Sequence, residues 1–275
     1  MSARPAYVQH ARRAAQHAVG AGRRLLGRFV QPASEPVFVV GNQRSGTSAI
    51  AELMGEMAGL RTAIDLYDEM IRPSYHEVLA GTVDLASFVE KNRLDFSRDL
   101  IKEPNLTFLH EELARFFPGS KTVFVVRDPR DNIRSILNRL QVPGTLTDLD
   151  PGAFPAITPA WRMIVDSAGV ALPDGNHIER LAHRWMRMAR VYRDHEDSMT
   201  LIRYEDFVRD KEATLRWLVR QVGHRPAHDV TARLDVQFQR PGDRAVPLPE
   251  FFGQQNLATI EAVCASEMAL FGYPR

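Results

Sequence analysis

The chain has a single cysteine, Cys264, among 275 residues. That scarcity excludes an internal disulfide and a cysteine-based metal cluster. Cys264 lies in an apolar helical stretch with Ile260, Val263, Met268 and Leu270, so it reads as a buried core thiol in a reducing, cytoplasmic setting. Long hydrophobic runs are missing too: no apolar stretch approaches the length needed to cross a bilayer. Neither sign of charge is in excess, the formal net charge being +1, which gives no reason to expect nucleic acid as a partner. The nine histidines are scattered from His10 to His228 with no pair at ligand spacing, so no bound metal is expected. Internal repeats and low-complexity linkers are absent. What is there is length enough to bury a full core, in one large domain or two small ones.

Acidic residues are missing from one region in particular. Residues 1–34 hold Arg4, Arg12, Arg13, Arg23, Arg24 and Arg28 and neither Asp nor Glu. Tyr7, Ala11, Ala14, Ala18, Leu25 and Phe29 recur there at helical spacing, the pattern of a basic amphipathic helix. The segment lacks the continuous apolar core and cleavage site of a secretory signal. Two placements stay open: peripheral contact with an anionic membrane surface, or packing on the following domain with the arginines in water.

From residue 35 to 275 the pattern is that of one α/β domain. Val37–Val40, Thr122–Val126 and Thr200–Ile202 are β-branched and aromatic runs without alternation, which suits strands buried on both faces. Each leads through a loop into a helical pattern, at 47–58, 130–139 and 206–222. Another strand near Leu100 and Ile101 precedes a helix from about Leu106 to Phe116. Strands alternating with helices predict a P-loop-like parallel sheet flanked by helices on both faces. The segment at about 141–176, with Pro143, Pro151, Pro155, Pro159 and Pro173, is a long connection that reads either as a lid or acceptor-binding segment or as a solvated insertion. Trp185 and Trp217 read as core; Trp161, in the proline-rich segment, is a weaker candidate for an acceptor pocket.

The first strand runs into Gly41-Asn42-Gln43-Arg44-Ser45-Gly46-Thr47-Ser48. A glycine-bearing turn at a helix N-terminus presents unpaired N–H groups and the positive end of the helix dipole to an anion. A nucleotide-triphosphate loop needs lysine directly after the second glycine; Thr47 stands there, and the basic side chain is Arg44, whose guanidinium suits a phosphate or sulfate. The second strand ends in Arg127-Asp128-Pro129-Arg130-Asp131, with Asp128 as N-cap and Pro129 at the first helical position. Arg127 leaves the strand tip and Ser135 lies two turns into the helix, at the carboxyl edge where ligands collect in parallel sheets.

Together these two elements resemble those of the sulfotransferases that use 3′-phosphoadenosine 5′-phosphosulfate (PAPS). In that family the first loop grips the 5′-phosphosulfate, and an arginine and serine after a later strand grip the 3′-phosphate. Asn42 through Ser48 resembles the first, with Gln43 where proline is common; Arg127 through Ser135 resembles the second. Ile101-Lys102-Glu103-Pro104, Phe116 through Lys121, Trp185, Arg203-Tyr204-Glu205-Asp206-Phe207 and Phe271-Gly272-Tyr273 are similar to further landmarks, so the resemblance covers roughly 36–273. It implies that Arg44, Ser45, Gly46, Thr47, Ser48, Arg127, Ser135 and Tyr204 hold the donor, Tyr204 near the adenine. It also implies transfer of a sulfuryl group to an acceptor hydroxyl, with PAP released, no metal, and Arg44 and Lys102 meeting the charge on the leaving oxygen.

The acceptor needs a base. Small-molecule sulfotransferases place a histidine after the lysine segment, where this chain has Pro104. The carbohydrate and protein-tyrosine branches use a glutamate some two dozen residues after the first loop, a window holding Asp65, Asp68 and Glu69. Glu69 is the choice on that resemblance, ahead of Asp68, and it leans toward a carbohydrate, glycolipid or other alcohol as acceptor. His76 and His110 are weaker candidates. Glu205 and Asp206 read as helix caps or braces, and Glu103 as the partner of an arginine. A P-loop kinase is a second reading and a membrane-recruited nucleotide-binding scaffold a third; the kinase lacks its lysine, and the scaffold leaves Lys102 and Glu69 without a task.

Overall fold

A computed structural model describes residues 18–236 and 245–274. Residues 1–17, the first half of the expected N-terminal helix, lie outside them; residues 18–27 are helical and are termed α1. Five parallel strands form one sheet in the order β2-β3-β1-β4-β5: β1 Val37–Gly41, β2 Thr62–Ile64, β3 Leu100–Lys102, β4 Lys121–Val126 and β5 Met199–Arg203. Val37 aligns with Leu100 on one side and Lys121 on the other. Every residue of β1 is buried, which is why its sequence is apolar without alternation.

Helices cover both faces. The first connection carries α2 (Thr47–Ala58), and the second carries α3 (Tyr67–Ile71), α4 (Tyr75–Leu79), α5 (Leu85–Lys91) and α6 (Arg93–Phe96). After β3 comes α7 (His110–Phe116); after β4 come α8 (Pro129–Leu140), α9 (Pro159–Val165) and α10 (His177–Asp194). Beyond β5 the chain adds α11 (Tyr204–Arg209), α12 (Lys211–Gln221) and α13 (Leu248–Leu270). On one face Val37 and Val39 pack with Ile50 and Leu53 of α2 and Leu218 of α12. On the other, Phe38 and Val40 join a core built with Ile133 of α8, Trp185 of α10 and Phe252 of α13.

The predicted parallel α/β sheet is therefore present, and α2 spans the expected residues. Four details differ. The helix expected from about Leu106 is a tighter 3₁₀ helix over Pro104–Leu109 and α-helical only from His110. β2 is an additional edge strand, too short to register as an apolar run. The helix expected at 206–222 breaks at Asp210, whose carboxylate accepts from Ala213 N at 3.0 Å and starts α12 afresh. Trp217 is not core: it lies on the outer side of α12, 42% exposed. Trp185 and Cys264 are buried as expected.

The strand order positions the site. The chain leaves β1 toward β2 at one edge and leaves β4 toward β5 at the other. The carboxyl ends of β1 and β4, side by side, thus feed loops that diverge and leave a crevice between them.

Candidate active site

The loop after β1 is held open by its own backbone. Arg44 adopts φ 69° and Gly46 φ 93°, so the chain turns sharply into α2. At Gly46 a side chain is barred twice, by the left-handed backbone and by the Tyr204 ring, which a Cβ would meet at 2.3 Å. No side chain caps α2 and no acidic residue occupies its first turn. Its N-terminus therefore presents N–H groups and positive dipole to the cleft without a resident anion. Ser45 is the exception among the expected loop residues: it is fully buried, and its hydroxyl accepts from Asn132 Nδ2 at 3.0 Å. Asn132 also donates to Gln43 O at 2.8 Å and accepts from Asn42 Nδ2 at 2.9 Å. It clamps the loop onto α8.

The expected second element sits against this loop. Arg127 donates to Arg44 O at 3.0 Å and its guanidinium lies 4.9 Å from the Tyr204 ring centre. Arg44 Nε donates to Ser135 Oγ at 3.2 Å. The start of α8 is braced by Glu205, which accepts from Asp128 N at 3.0 Å and from the Tyr273 hydroxyl at 2.8 Å. Burial, followed by repulsion from Arg127 and Arg139, pushes the Arg44 guanidinium down to about 10. It stays cationic at neutral pH, but in a place where three positive charges converge. An anion bound there would relieve all three.

At the other end of the cleft, β2 and β3 deliver charge to the sheet edge. Lys102, the last residue of β3, is buried and forms an ion pair with Asp65, the residue after Ile64 of β2. Asp65 has φ 61°, a left-handed backbone uncommon for a residue with a side chain. Its carboxylate is 31% exposed along the cleft. Glu69 is placed differently. Its Oε2 accepts from Ser74 N at 2.6 Å and Tyr75 N at 3.0 Å, and its Oε1 from Ser74 Oγ at 2.7 Å and Lys91 Nζ at 2.9 Å. Those four donors match the acceptor capacity of an ionised carboxylate. Asp68 faces α1 and meets Arg24 at 3.5 Å.

Glu103 pairs with no arginine among the described residues, contrary to the sequence reading. It is buried, accepting from Asn105 N at 3.0 Å and, at the longer distance of 3.4 Å, from Leu66 N. Burial and then the charge of Asp65 push it up to about 7, against the pull of Lys102. Between the ordinary value of 4.5 and about 7 the folded state keeps a proton that the unfolded chain has lost, so this group's contribution to stability falls as pH rises through that window. Glu103→Gln carries no such charge. Its stability relative to the natural protein is expected to rise by on the order of 1–3 kcal/mol between about pH 5 and about pH 8, read from paired denaturant melts. A difference that is flat with pH would refute the assignment.

One cleft of about 1020 Å³ joins these parts, lined by Arg44, Gly46, Thr47, Ser48, Arg127, Ser135 and Tyr204 at the loop end and by Asp65, Glu69, Lys102 and Glu103 at the sheet edge. Thr158, Ala160, Trp161 and Ile164, from the proline-rich segment, and Met70 and Pro73 complete its wall. Trp161 also lies 5.8 Å from the Arg139 guanidinium. None of the described lining residues is a histidine; His110 packs instead on His195 and Ser198. Behind the loop lies a group with no sequence signal, Arg184 of α10. It is fully buried and donates to Asn105 Oδ1 at 2.7 Å, an oxygen that also accepts from Gln43 Nε2 at 2.8 Å. Its Nε and Nη1 have no hydrogen-bond partner among the described residues. A buried cation thus stands behind Gln43, the position at which the loop departs from its usual proline.

Fold and cleft define an α/β protein whose glycine-bearing loop opens, with an uncapped helix start, into a cleft at the switch point of a parallel sheet. Residues 58–228 match the model of the sulfotransferase family, well over half of the chain; the chain belongs to that family. The match begins just beyond the first loop. Among solved structures, a sulfotransferase from Mycobacterium avium aligns with TM-score 0.54 at 14% identity, covering 88% of this chain and 78% of its own. The sulfotransferase domain of the curacin biosynthetic pathway aligns with TM-score 0.51 at 11% identity, over 89% and 99%. A sulfotransferase from Alicyclobacillus acidocaldarius gives 0.50 at 13%, over 88% and 98%. Identities this low speak for the fold alone. None of the curated proteins compared with the chain matches it.

Proposed function

We propose that this protein transfers the sulfuryl group of PAPS to an alcohol, with Asp65 as the acceptor's base. The observation that carries the reading is one cleft, lined by Arg44, Arg127 and Arg139, onto which the uncapped start of α2 and the Lys102–Asp65 pair both open. Membership of the family supports the reaction. The N–H groups at the start of α2, with the hydroxyls of Thr47 and Ser48, would hold the 5′-phosphate; Arg127 and Ser135 would hold the 3′-phosphate. Tyr204, beside Gly46, would flank the adenine.

Sulfuryl transfer asks the protein for positioning and charge stabilisation more than for covalent chemistry. As the acceptor oxygen bonds to sulfur, the bond from sulfur to the 5′-phosphate oxygen breaks. Arg44 and Lys102 meet the charge growing on that departing oxygen, and Asp65 takes the hydroxyl proton. Asp65 is preferred to Glu69 because a base needs a lone pair facing the acceptor, and Glu69 spends its oxygens on α4 and Lys91. The apolar wall of Met70, Pro73, Trp161 and Ile164 supports an acceptor with a hydrophobic body around its hydroxyl.

Calorimetric titration with PAP and with ATP, each with and without magnesium, tests the donor. Metal-independent PAP binding at least about ten-fold tighter than ATP binding, a difference of roughly 1.4 kcal/mol, is the expected result. Preference for magnesium-ATP would overturn the reading in favour of a kinase.

A further inference from the structure

The two placements open to the arginine-rich N-terminus require opposite orientations of its helix. A helix that packs on a domain turns its apolar stripe inward and its charges to water. α1 instead turns its apolar stripe outward. Its inner side is Gly20 and Gly27, both buried. Gly20 approaches Tyr67 and Asp68 of α3, and Gly27 approaches Arg93 and Leu94 of α6. Arg23 joins them, paired with Asp95 and lying 4.9 Å from the Tyr67 ring centre. Facing away from the domain are Val19 at 52%, Leu25 at 56% and Leu26 at 59% exposure, followed in the next turn by Phe29 at 81%. Arg24 and Arg28, both exposed, flank this stripe.

Four large apolar side chains within eleven residues form an outward patch with no cover among the described residues, and such patches mark interaction sites. Charge selects the occupant. Residues 1–34 carry six arginines and no acidic residue. Of the three described, Arg23 is paired inward with Asp95, while Arg24, which also meets Asp68 at 3.5 Å, and Arg28 lie exposed. The complementary surface is therefore anionic as well as apolar. That combination belongs to a bilayer carrying acidic lipids, into whose headgroup boundary an amphipathic helix sinks its apolar side while its arginines pair with phosphates. We propose that α1 docks this protein on an anionic membrane surface through Val19, Leu25, Leu26 and Phe29. The helix rests on α3, and α3 also supplies Met70, half exposed, to the wall of the cleft. Docking therefore holds the Met70 edge of the cleft near the lipid; reading that edge as the acceptor end rests on the sulfotransferase reading, whereas the docking itself does not.

The test is flotation of the full-length protein with phosphatidylcholine vesicles, with and without phosphatidylserine, alongside a Leu25→Glu/Phe29→Glu double variant. The natural protein is expected to float with phosphatidylserine vesicles and to be released by salt. The double variant is expected to bind them at least about ten-fold more weakly while its PAP binding stays unchanged, showing an intact fold. Failure to float, flotation unaffected by the double substitution, or a dimer in solution that the substitution dissociates would each overturn the proposal, the last by naming a second copy as the occupant. Vesicle binding without PAP binding would leave the docking standing and remove the sulfotransferase reading alone.

Discussion

Replacing Arg44 by alanine is expected to lower kcat/KM by about 10²- to 10³-fold, roughly 3–4 kcal/mol of transition-state stabilisation, without lowering the melting temperature of the ligand-free protein. The two halves of this result have one cause. Arg44 is held partly out of water beside Arg127 and Arg139, which push its pKa down. In the ligand-free state burial and those two arginines oppose its charge, while the bond to Ser135 is among the contacts that favour it. With an anion in the cleft the same charge becomes a counter-ion. Its removal therefore costs binding and catalysis and leaves folding unharmed. The loss is expected to be larger with PAPS turnover than with PAP binding, because Arg44 is assigned to the departing oxygen. Steady-state kinetics together with thermal melts, with and without PAP, check both halves. If activity fell only in step with a lower melting temperature, Arg44 would be a structural residue and the donor site would lie elsewhere.

How much of this was legible in the sequence depends on the range of the interaction concerned. β1, its loop and α2 form one contiguous signal: a run buried on both faces, two glycines and a helix without a polar cap. The loop at 41–48 and the strand tip at Arg127 could be read because each states its chemistry locally. β2 could not, being three residues at a sheet edge, half-buried at Thr62 and Ile64. Missing it hid the significance of Asp65, which reaches the cleft only because β2 ends there beside Lys102 of β3. Glu69 and Asp65 lie four residues apart, and spacing from the first loop cannot separate them; Lys91, 22 residues further on, does. Arg184 is remoter still, 141 residues from Gln43 in sequence, and amid apolar helix residues a cation offers no sign of facing inward. Asn132 was visible only as one polar residue in a capped helix start. The amphipathic stripe of α1 was legible as a pattern, yet its direction was not, since glycines rather than apolar residues make its contact with the domain.

Two carboxylate substitutions separate the neighbouring acids by the property each one damages. Asp65→Asn keeps the volume and removes the basic oxygen, so kcat is expected to fall by about 10²- to 10⁴-fold, the range of a lost general base, while PAP affinity changes little. Lys102 loses its carboxylate in that variant, but it is then free to meet the donor's charge, which is why binding is spared and turnover is not. Glu69→Gln should do the opposite. It leaves kcat within a few-fold of the natural protein and lowers stability by roughly 1–3 kcal/mol, since a buried acceptor of four hydrogen bonds is replaced by a group with half the capacity. The lower part of that range is favoured because Lys91, its ion partner, is 34% exposed and can be rehydrated. Loss of turnover in Glu69→Gln with unchanged melting, beside an active Asp65→Asn, would return the base to Glu69, as the spacing from the first loop alone suggests. The discriminating quantity is the ratio of kcat change to melting change in each variant. A base moves the first and a brace moves the second, and the two carboxylates are close enough in sequence that only this contrast assigns them.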